Sequence, residues 1–357
     1  MSQSSRGGRP SLVRIWWTAA RPHTLLASLN PCVVAIACNY YKHVVSTNKI
    51  YVFVLWTIFC GTIQLGTNLH NDYSDYVRGA DTSERIGQAR ATAQGWLTPK
   101  QTCVAATTVL SITFYCGYSI IQLVTEQANV IADDYYQYHV ATLWCLVLTS
   151  LFNAFAYTGG PYPLGYIGMP NFSLAYTGLG DLFVFLYFGL VATWMIPYVL
   201  YLMDNDDTTT TTSIAFWPHQ FLYGLQVGLL ATNILVVNNL RDRLTDVKAH
   251  KRTTAVRFGR NFSIRQYQFH VIAAYALVLV NVIYTVKQSF DNRILILLCQ
   301  SLPLLSWPMA NQQAMAVLQT EGAALNKHVG GAAKVQTLFC LLLAIGNGIL
   351  IQQELLQ

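Results

Sequence analysis

Carboxylates spaced three or four residues apart, at two distant places in the chain, are the first residues whose pattern suggests chemistry. NLHNDYSD at 68–75 carries Asp72 and Asp75, and NNLRDRLTD at 238–246 carries Asp242 and Asp246. Each segment opens with asparagines, Asn68 and Asn71 in one and Asn239 in the other, and each closes a long apolar run. On a helix this spacing puts each acidic pair on one face, where like charges repel by a few tenths of a kcal/mol in water and by more beside a low-dielectric core. A compensating cation is therefore expected. The donors are all oxygens, with no zinc-type His or Cys ligand set at helical spacing, so a hard ion such as Mg²⁺ suits them and zinc does not. Magnesium prefers one or two carboxylates together with waters and substrate phosphates, so two such half-sites facing one another predict two ions clamping a diphosphate. Arg78, Arg85 and Arg90 follow the first segment, and Arg241, Lys251 and Arg252 lie in or after the second. Guanidinium forks and a lysine point charge both match phosphate oxygens. One acidic cluster at a helix end would be an ordinary solvated terminus. Two of the same build, each flanked by arginines, ask for a shared function.

The elements that must carry these motifs lie in a membrane. Hydrophobic residues make up 53% of the 357 positions and charged ones only 11%, far from the balance of a water-soluble domain. Nine runs approach the roughly 20 apolar residues needed to cross a hydrocarbon core in helix: 24–44, 50–70, 101–124, 139–157, 180–203, 214–237, 267–287, 292–310 and 335–353. A transmembrane barrel is excluded by stretches such as VFVLWTIFCG (52–61), which are apolar on every face instead of alternating. An all-α integral membrane protein follows, read as one polytopic domain over 24–357 behind an N-terminal segment of residues 1–23. All eight cysteines fall in or beside apolar runs, as small buried hydrophobes do. The N-terminal segment has no short apolar core with a small-residue cleavage site, so the first helix is expected to insert uncleaved.

Positive charge orients the bundle. With the N-terminus cytoplasmic, 18 of the 22 lysines and arginines face the cytoplasm; Lys42, Lys49, Lys287 and Arg293 remain on the far side. The net charge of +6 therefore reflects loop topology, and no basic stripe interleaved with stacking aromatics points to nucleic acid. Both acidic segments fall at the cytoplasmic end. A transporter of an anionic or phosphorylated solute is the alternative reading, but it would place charges and broken helices near the bilayer midplane.

Beyond the two acidic segments, ARPHTLLAS (20–28), ERIGQAR (84–90), and YTGGPYPLGYIG with GLGDLFVFLYFG (157–168 and 178–189) complete a pattern. Taken with NDYSDYVRGAD (71–81) and NNLRDRLTDVKAHKRT (238–253), the chain resembles the UbiA superfamily of intramembrane aromatic prenyltransferases, and within it the 1,4-dihydroxy-2-naphthoate prenyltransferase branch. The resemblance covers most of the chain. It implies a helical bundle around a central cavity open to lipid, Mg²⁺-dependent transfer of a prenyl chain from a prenyl diphosphate to an aromatic, naphthoate-type acceptor, and a place in menaquinone or phylloquinone synthesis. It also implies residue roles: Asp72, Asp75, Asp242, Asp246 and Lys251 at the reacting end; Asp81 as a further metal ligand; and Asn68, Asn71, Arg78, Arg85, Asn239, Arg241 and Tyr157 toward substrate. Asp181, at the head of a helix, would orient the acceptor or the metal shell, with helix capping as its competing role. A bacterial inner membrane is the expected location, with a eukaryotic organelle membrane as the alternative. Two departures stand out: MPNFSLAYT (169–177) reads as an insertion, and His250 replaces the usual glycine before Lys251; Gly79 stands where the wider superfamily has a third aspartate, with Asp81 beyond it, as in the naphthoate branch.

Overall fold

The computed structural model describes residues 9–38, 47–81, 86–131, 134–203, 210–288 and 292–354, and all regular structure among them is helical. A short helix, α1 (Leu12–Ala20), is capped by the Ser11 hydroxyl, which accepts from Arg14 N at 3.3 Å. It buries Ile15 and Ala19 and exposes Leu12, Val13, Trp16 and Trp17, the profile of a helix lying along a membrane surface. Arg21, in the left-handed region at φ 52°, turns the chain, and Pro22 supplies a pre-set φ for the first turn of α2 (Pro22–Ala37). Next come α3 (Thr47–Val77), α4 (Pro99–Ile131) and α5 (Asp134–Ala156). The loop after α5 holds a 3₁₀ turn at Leu164–Ile167 and a one-turn helix, α6 (Leu174–Thr177). The following span is compound: α7 (Gly180–Phe185), a π-helical turn over Leu186–Val191, and α8 (Ala192–Met203). Then follow α9 (Thr210–Lys248) and α10 (Thr254–Gln288). Another broken span joins α11 (Arg293–Ser301) through a 3₁₀ turn to α12 (Trp307–Gln319), and α13 (Asn326–Glu354) ends the described chain.

Among the described residues eight spans are long and apolar enough to cross a membrane, and α2 is a ninth, shorter apolar helix whose expected continuation to residue 44 lies outside them. Both α3 and α9 run past their apolar stretches into the acidic segments, so the motifs ride on continuous helix. α10 likewise starts at Thr254, well before the expected 267, and Gly259 at φ 81° breaks its first turns.

Two apolar clusters divide the bundle. One joins α9, α10, α12 and α13 around Tyr267, Phe339 and Val237; the other joins α3, α4, α5 and α8 around Trp56, Ile120 and Ile196. The α2 helix serves both, giving Ala27 and Val34 to the first and Cys32 and Ala35 to the second. Where the π-helical turn crosses α9 the backbones nearly touch: a Cβ on Gly189 would lie 2.6 Å from Gly228 Cα. Small residues permit such an approach, the usual packing currency between helices in lipid.

Candidate functional site

A large cavity of about 690 Å³ lies between the two clusters and is walled by α2, α3, α5, the π-helical turn, α9 and the start of α13. Its wall is apolar over much of its extent, with Trp56, Phe59, Ile63, Phe183, Tyr187 and Phe188. At the opposite extreme, the last turns of α3 and α9 bring Asn68, Asn71, Asp75, Asn239, Arg241, Asp242 and Asp246 to its surface, with Lys251 and Tyr157 beside them. A helix leaving an apolar environment can bury such groups only if they bond one another, and they do.

Asp75 is the most contacted. Lys251 Nζ lies 3.0 and 3.1 Å from its two oxygens, Arg90 Nη2 donates at 3.2 Å and the Tyr176 hydroxyl donates at 3.3 Å. Burial, reinforced by the Asp75 charge, pushes the Tyr176 phenol up, so it stays a protonated donor. On α9, Arg241 grips Asp242 in a two-pronged pair at 2.8 and 2.6 Å and also donates to Asn238 Oδ1 at 2.7 Å and Asn326 Oδ1 at 2.9 Å. The cationic compensation expected of these carboxylates is thus supplied in part by Arg90, Lys251 and Arg241. Asn68 ties α3 to the N-terminal turn, donating to Ala20 O at 2.9 Å and Thr24 Oγ1 at 3.0 Å, while Arg21 Nη2 donates to Asn68 O at 3.3 Å. Thr158 donates to Asn71 Oδ1, and Ser74 donates to Gly159 O, pinning the post-α5 loop onto α3.

Other expected site residues are set back from the cavity wall. Asp72 is fully buried, with Thr92 N donating to Oδ2 at 3.4 Å. Asp81 faces the Arg90 guanidinium, 3.7 Å from Nε. Arg78 donates to Pro170 O at 2.8 Å and lies 5.0 Å from the centre of the Tyr176 ring. Asp181, instead of capping its helix, accepts from Asn239 at 3.1 Å, Thr254 at 2.7 Å and Gln266 at 3.0 Å, which ties the start of α7 to α9 and α10 beside a small recess that Tyr157 shares. Burial, with the nearby Asp181 charge, pushes the Tyr157 phenol up as well. Arg85 lies outside the described residues.

The sequence motifs did not single out Tyr176, Asn326 or His23. Tyr176 and Asn326 reach the site by contacts across roughly a hundred residues, and His23 lines the cavity from α2.

No group of three His, Cys, Asp or Glu among the described residues is placed to hold a metal ion by itself. The cavity-facing carboxylates, Asp75, Asp242 and Asp246, nonetheless form a hard oxygen donor set split between two helices. That set fits divalent ions whose remaining ligands are water and phosphate oxygens.

The description "UbiA prenyltransferase family" belongs to the family model that matches residues 28–324. The chain is similar to the 1,4-dihydroxy-2-naphthoate octaprenyltransferase of Haemophilus influenzae, at 30% identity over 294 residues, covering 82% of this chain and 84% of that one. It is also similar to the UbiA prenyltransferase domain-containing protein 1 homolog of Drosophila melanogaster, at 25% identity over 91% of this chain and 80% of the relative. A solved UbiA homolog from Archaeoglobus fulgidus bound to DMAPP and Mg²⁺ shares the fold, with a TM-score of 0.54 at 12% identity over 95% of this chain and 99% of that one.

Proposed function

The chain belongs to the UbiA prenyltransferase family, and from that premise we propose that it transfers a prenyl chain from a prenyl diphosphate to 1,4-dihydroxy-2-naphthoate within a membrane, as a step of menaquinone or phylloquinone synthesis. One observation carries the reading: acidic segments 170 positions apart in sequence line one end of the same cavity, whose walls elsewhere are largely apolar and aromatic. A diphosphate belongs at the first end and a hydrocarbon tail against the second. An acyl or solute substrate would not need both.

Asp75, Asp242 and Asp246 would hold Mg²⁺, and Asp72 and Asp81 would support them from behind, through the Thr92 N–H and the Arg90 guanidinium. The bound ions supply charge neutralisation of the diphosphate leaving group. Lys251, Arg90 and Arg241, which hold carboxylates in the structure, are the side chains able to turn toward phosphate oxygens when those carboxylates take a metal. Asn68 would hold the end of α3 on the N-terminal turn, Asn71 would hold it on the post-α5 loop, Asn239 would tie α9 to Asp181, and Arg78 would add positive charge beside them. With the leaving group stabilised, the allylic C–O bond ionises. Tyr187, Phe188 and Trp56 on the cavity wall would favour the allylic cation over water through their π faces, each contact contributing ~1–2 kcal/mol when dry. Tyr157, buried and neutral on the same wall, would donate to an acceptor oxygen, and the aromatic carbon that attacks then loses its proton or carboxyl group.

A single domain over 24–357 and a bacterial inner membrane complete the proposal, the bacterial relatives supporting the location. The transporter alternative gains nothing from the geometry, because the charged groups gather at one end of the cavity. The test is product formation by purified protein with Mg²⁺, prenyl diphosphates of several lengths and a panel of aromatic acids. A prenylated naphthalene product that disappears with excess EDTA is expected. Full turnover in EDTA, or no product with any acceptor, sinks the assignment.

A further inference from the structure

Tyr176 lies in the 169–177 segment, the stretch that departs from the family pattern, and the fold lays that segment across the diphosphate end of the site. Its backbone is tied down on both sides: Arg252 N donates to Tyr176 O at 3.0 Å, Tyr176 N donates to Ser173 Oγ at 3.1 Å, and Ala175 N donates to Tyr157 O at 2.8 Å. The ring has little freedom. Two cations address it, Lys251 Nζ and Arg78 Cζ, each 5.0 Å from its centre, inside the range where a ring quadrupole attracts a cation. Lys251 at the same time bonds both oxygens of Asp75. Lys251 lines the cavity and Tyr176 does not, so whatever Tyr176 does for a ligand it does through its neighbours.

A lysine reaches its target through four rotatable bonds, whose rotamer freedom ordering must overcome. An aromatic face fixed by its own backbone offers one way to confine the ammonium without consuming its hydrogen-bond donors. We propose that Tyr176 is a positioning residue whose ring face seats the Lys251 ammonium, so that Lys251 stays at the polar end of the cavity when it exchanges the Asp75 carboxylate for a diphosphate oxygen. The inference rests on the reading of the cavity as a prenyl diphosphate site. The 169–177 segment then serves as a strap that carries this platform to the reacting end.

The seat acts on ground state and transition state alike, because the phosphate oxygens are charged before and after ionisation. Its loss is uniform binding lost. Tyr176→Leu should raise KM for prenyl diphosphate about tenfold and leave kcat within about threefold, the size expected of one partly desolvated cation–π contact. Equilibrium titration of inorganic pyrophosphate into the full-length protein in detergent with Mg²⁺ gives a readout apart from turnover, and it should weaken by a similar factor. Tyr176→Phe keeps the ring and should stay within about threefold of wild type on both measures.

Adding Tyr176→Leu to Lys251→Ala should cost almost nothing more, since the seat is then empty. Equal losses in the Phe and Leu variants, wild-type behaviour of the Leu variant, or a further multiplied loss on the Lys251→Ala background each overturn the proposal. If Tyr176→Leu does not fold, 3,4,5-trifluorophenylalanine at 176 keeps the shape and withdraws the π density. It should then bind pyrophosphate more weakly than Tyr176→Phe, and equality of the two refutes the seat. Wild-type protein that binds no pyrophosphate at all removes the functional reading itself, a result that differs from any of these.

Discussion

Asp75 is a carboxylate held among an ammonium, a guanidinium and a phenol, while Asp72, one residue short of a helical turn away, accepts from a backbone N–H. Three residues are about five-sixths of a turn, enough to aim one side chain at the cavity and the other at the loop before α4. If Asp75 and Asp242 hold ions bridged by one diphosphate, Asp75→Asn and Asp242→Asn should each lower kcat by about a hundredfold or more. Asparagine keeps the side-chain volume and an acceptor oxygen, but like alanine it leaves the Lys251 and Arg90 charges without their carboxylate, at a cost of about 3–5 kcal/mol, so rates are compared in protein shown to be folded. Because groups that act as a unit are not additive, the double variant should fall within a few-fold of the poorer single one. Asp72→Asn still offers Thr92 an acceptor and should stay within about tenfold of wild type by the same measure. Full activity in Asp75→Asn, with folding verified, refutes the shared site. Spacing alone marks both acids as candidates, since a sequence shows that they share a face but not which neighbour each one meets. Tyr176 was invisible for the same reason: its partners are Asp75, Arg78 and Lys251, and nothing in MPNFSLAYT foretells them.

The apolar runs gave the helices away because hydrocarbon forces each spanning segment to close its own backbone bonds. Their interruptions were not legible. The span at 180–203 reads as a uniform hydrophobic stretch, yet it takes a π-helical turn at Leu186–Val191 that points Tyr187, Phe188 and Val191 into the cavity. Such turns insert one extra residue and re-aim the side chains around it. This one depends on close backbone contact, since a Cβ on Gly189 would meet Gly228 Cα at 2.6 Å and Gly224 O at 2.7 Å, and neither atom can rotate away. Gly189→Val should therefore destabilise the protein by about 1–3 kcal/mol, as overpacking does, and should lower activity by displacing Tyr187 and Phe188. Gly348→Ala, in a helix with open space around it, is the control and should be neutral. Thermal unfolding in one detergent decides the comparison. Equal midpoints for Gly189→Val and wild type contradict the close approach. The 3₁₀ turn at Leu302–Ser306 was likewise hidden, although Pro303 could have signalled it, because a proline in an apolar run is tolerated in lipid when neighbours satisfy the freed carbonyls.

At the scale of the molecule, the loops that follow α3, α9 and α12 converge on one end. Lys251 reaches Asp75, Asn326 Nδ2 donates to Ile86 O at 2.9 Å, Arg9 Nη2 donates to Trp96 O at 2.6 Å, and Arg260 pairs with Glu321 at 2.8 Å. The basic tally and the acidic motifs therefore lie at the same end for one physical reason. Cations that face anionic lipid headgroups and hold back translocation would also suit a diphosphate site at the cytoplasmic end. Orientation becomes a functional statement, since a diphosphate does not cross a bilayer unaided. In protein carrying a serine at the exposed Cys145, cysteines placed at Lys248 and Arg293 should react with a membrane-impermeant maleimide from opposite sides, Lys248 from the cytoplasm. Among the described residues α10 is the one helix wholly between the two positions, and it is long and apolar enough to cross once. Labelling of both from one side means that α10 does not span the membrane and contradicts the fold. Labelling from opposite sides but reversed leaves the fold intact, puts the diphosphate end outside the cytoplasm and so contradicts the orientation read from the basic residues and not the structure.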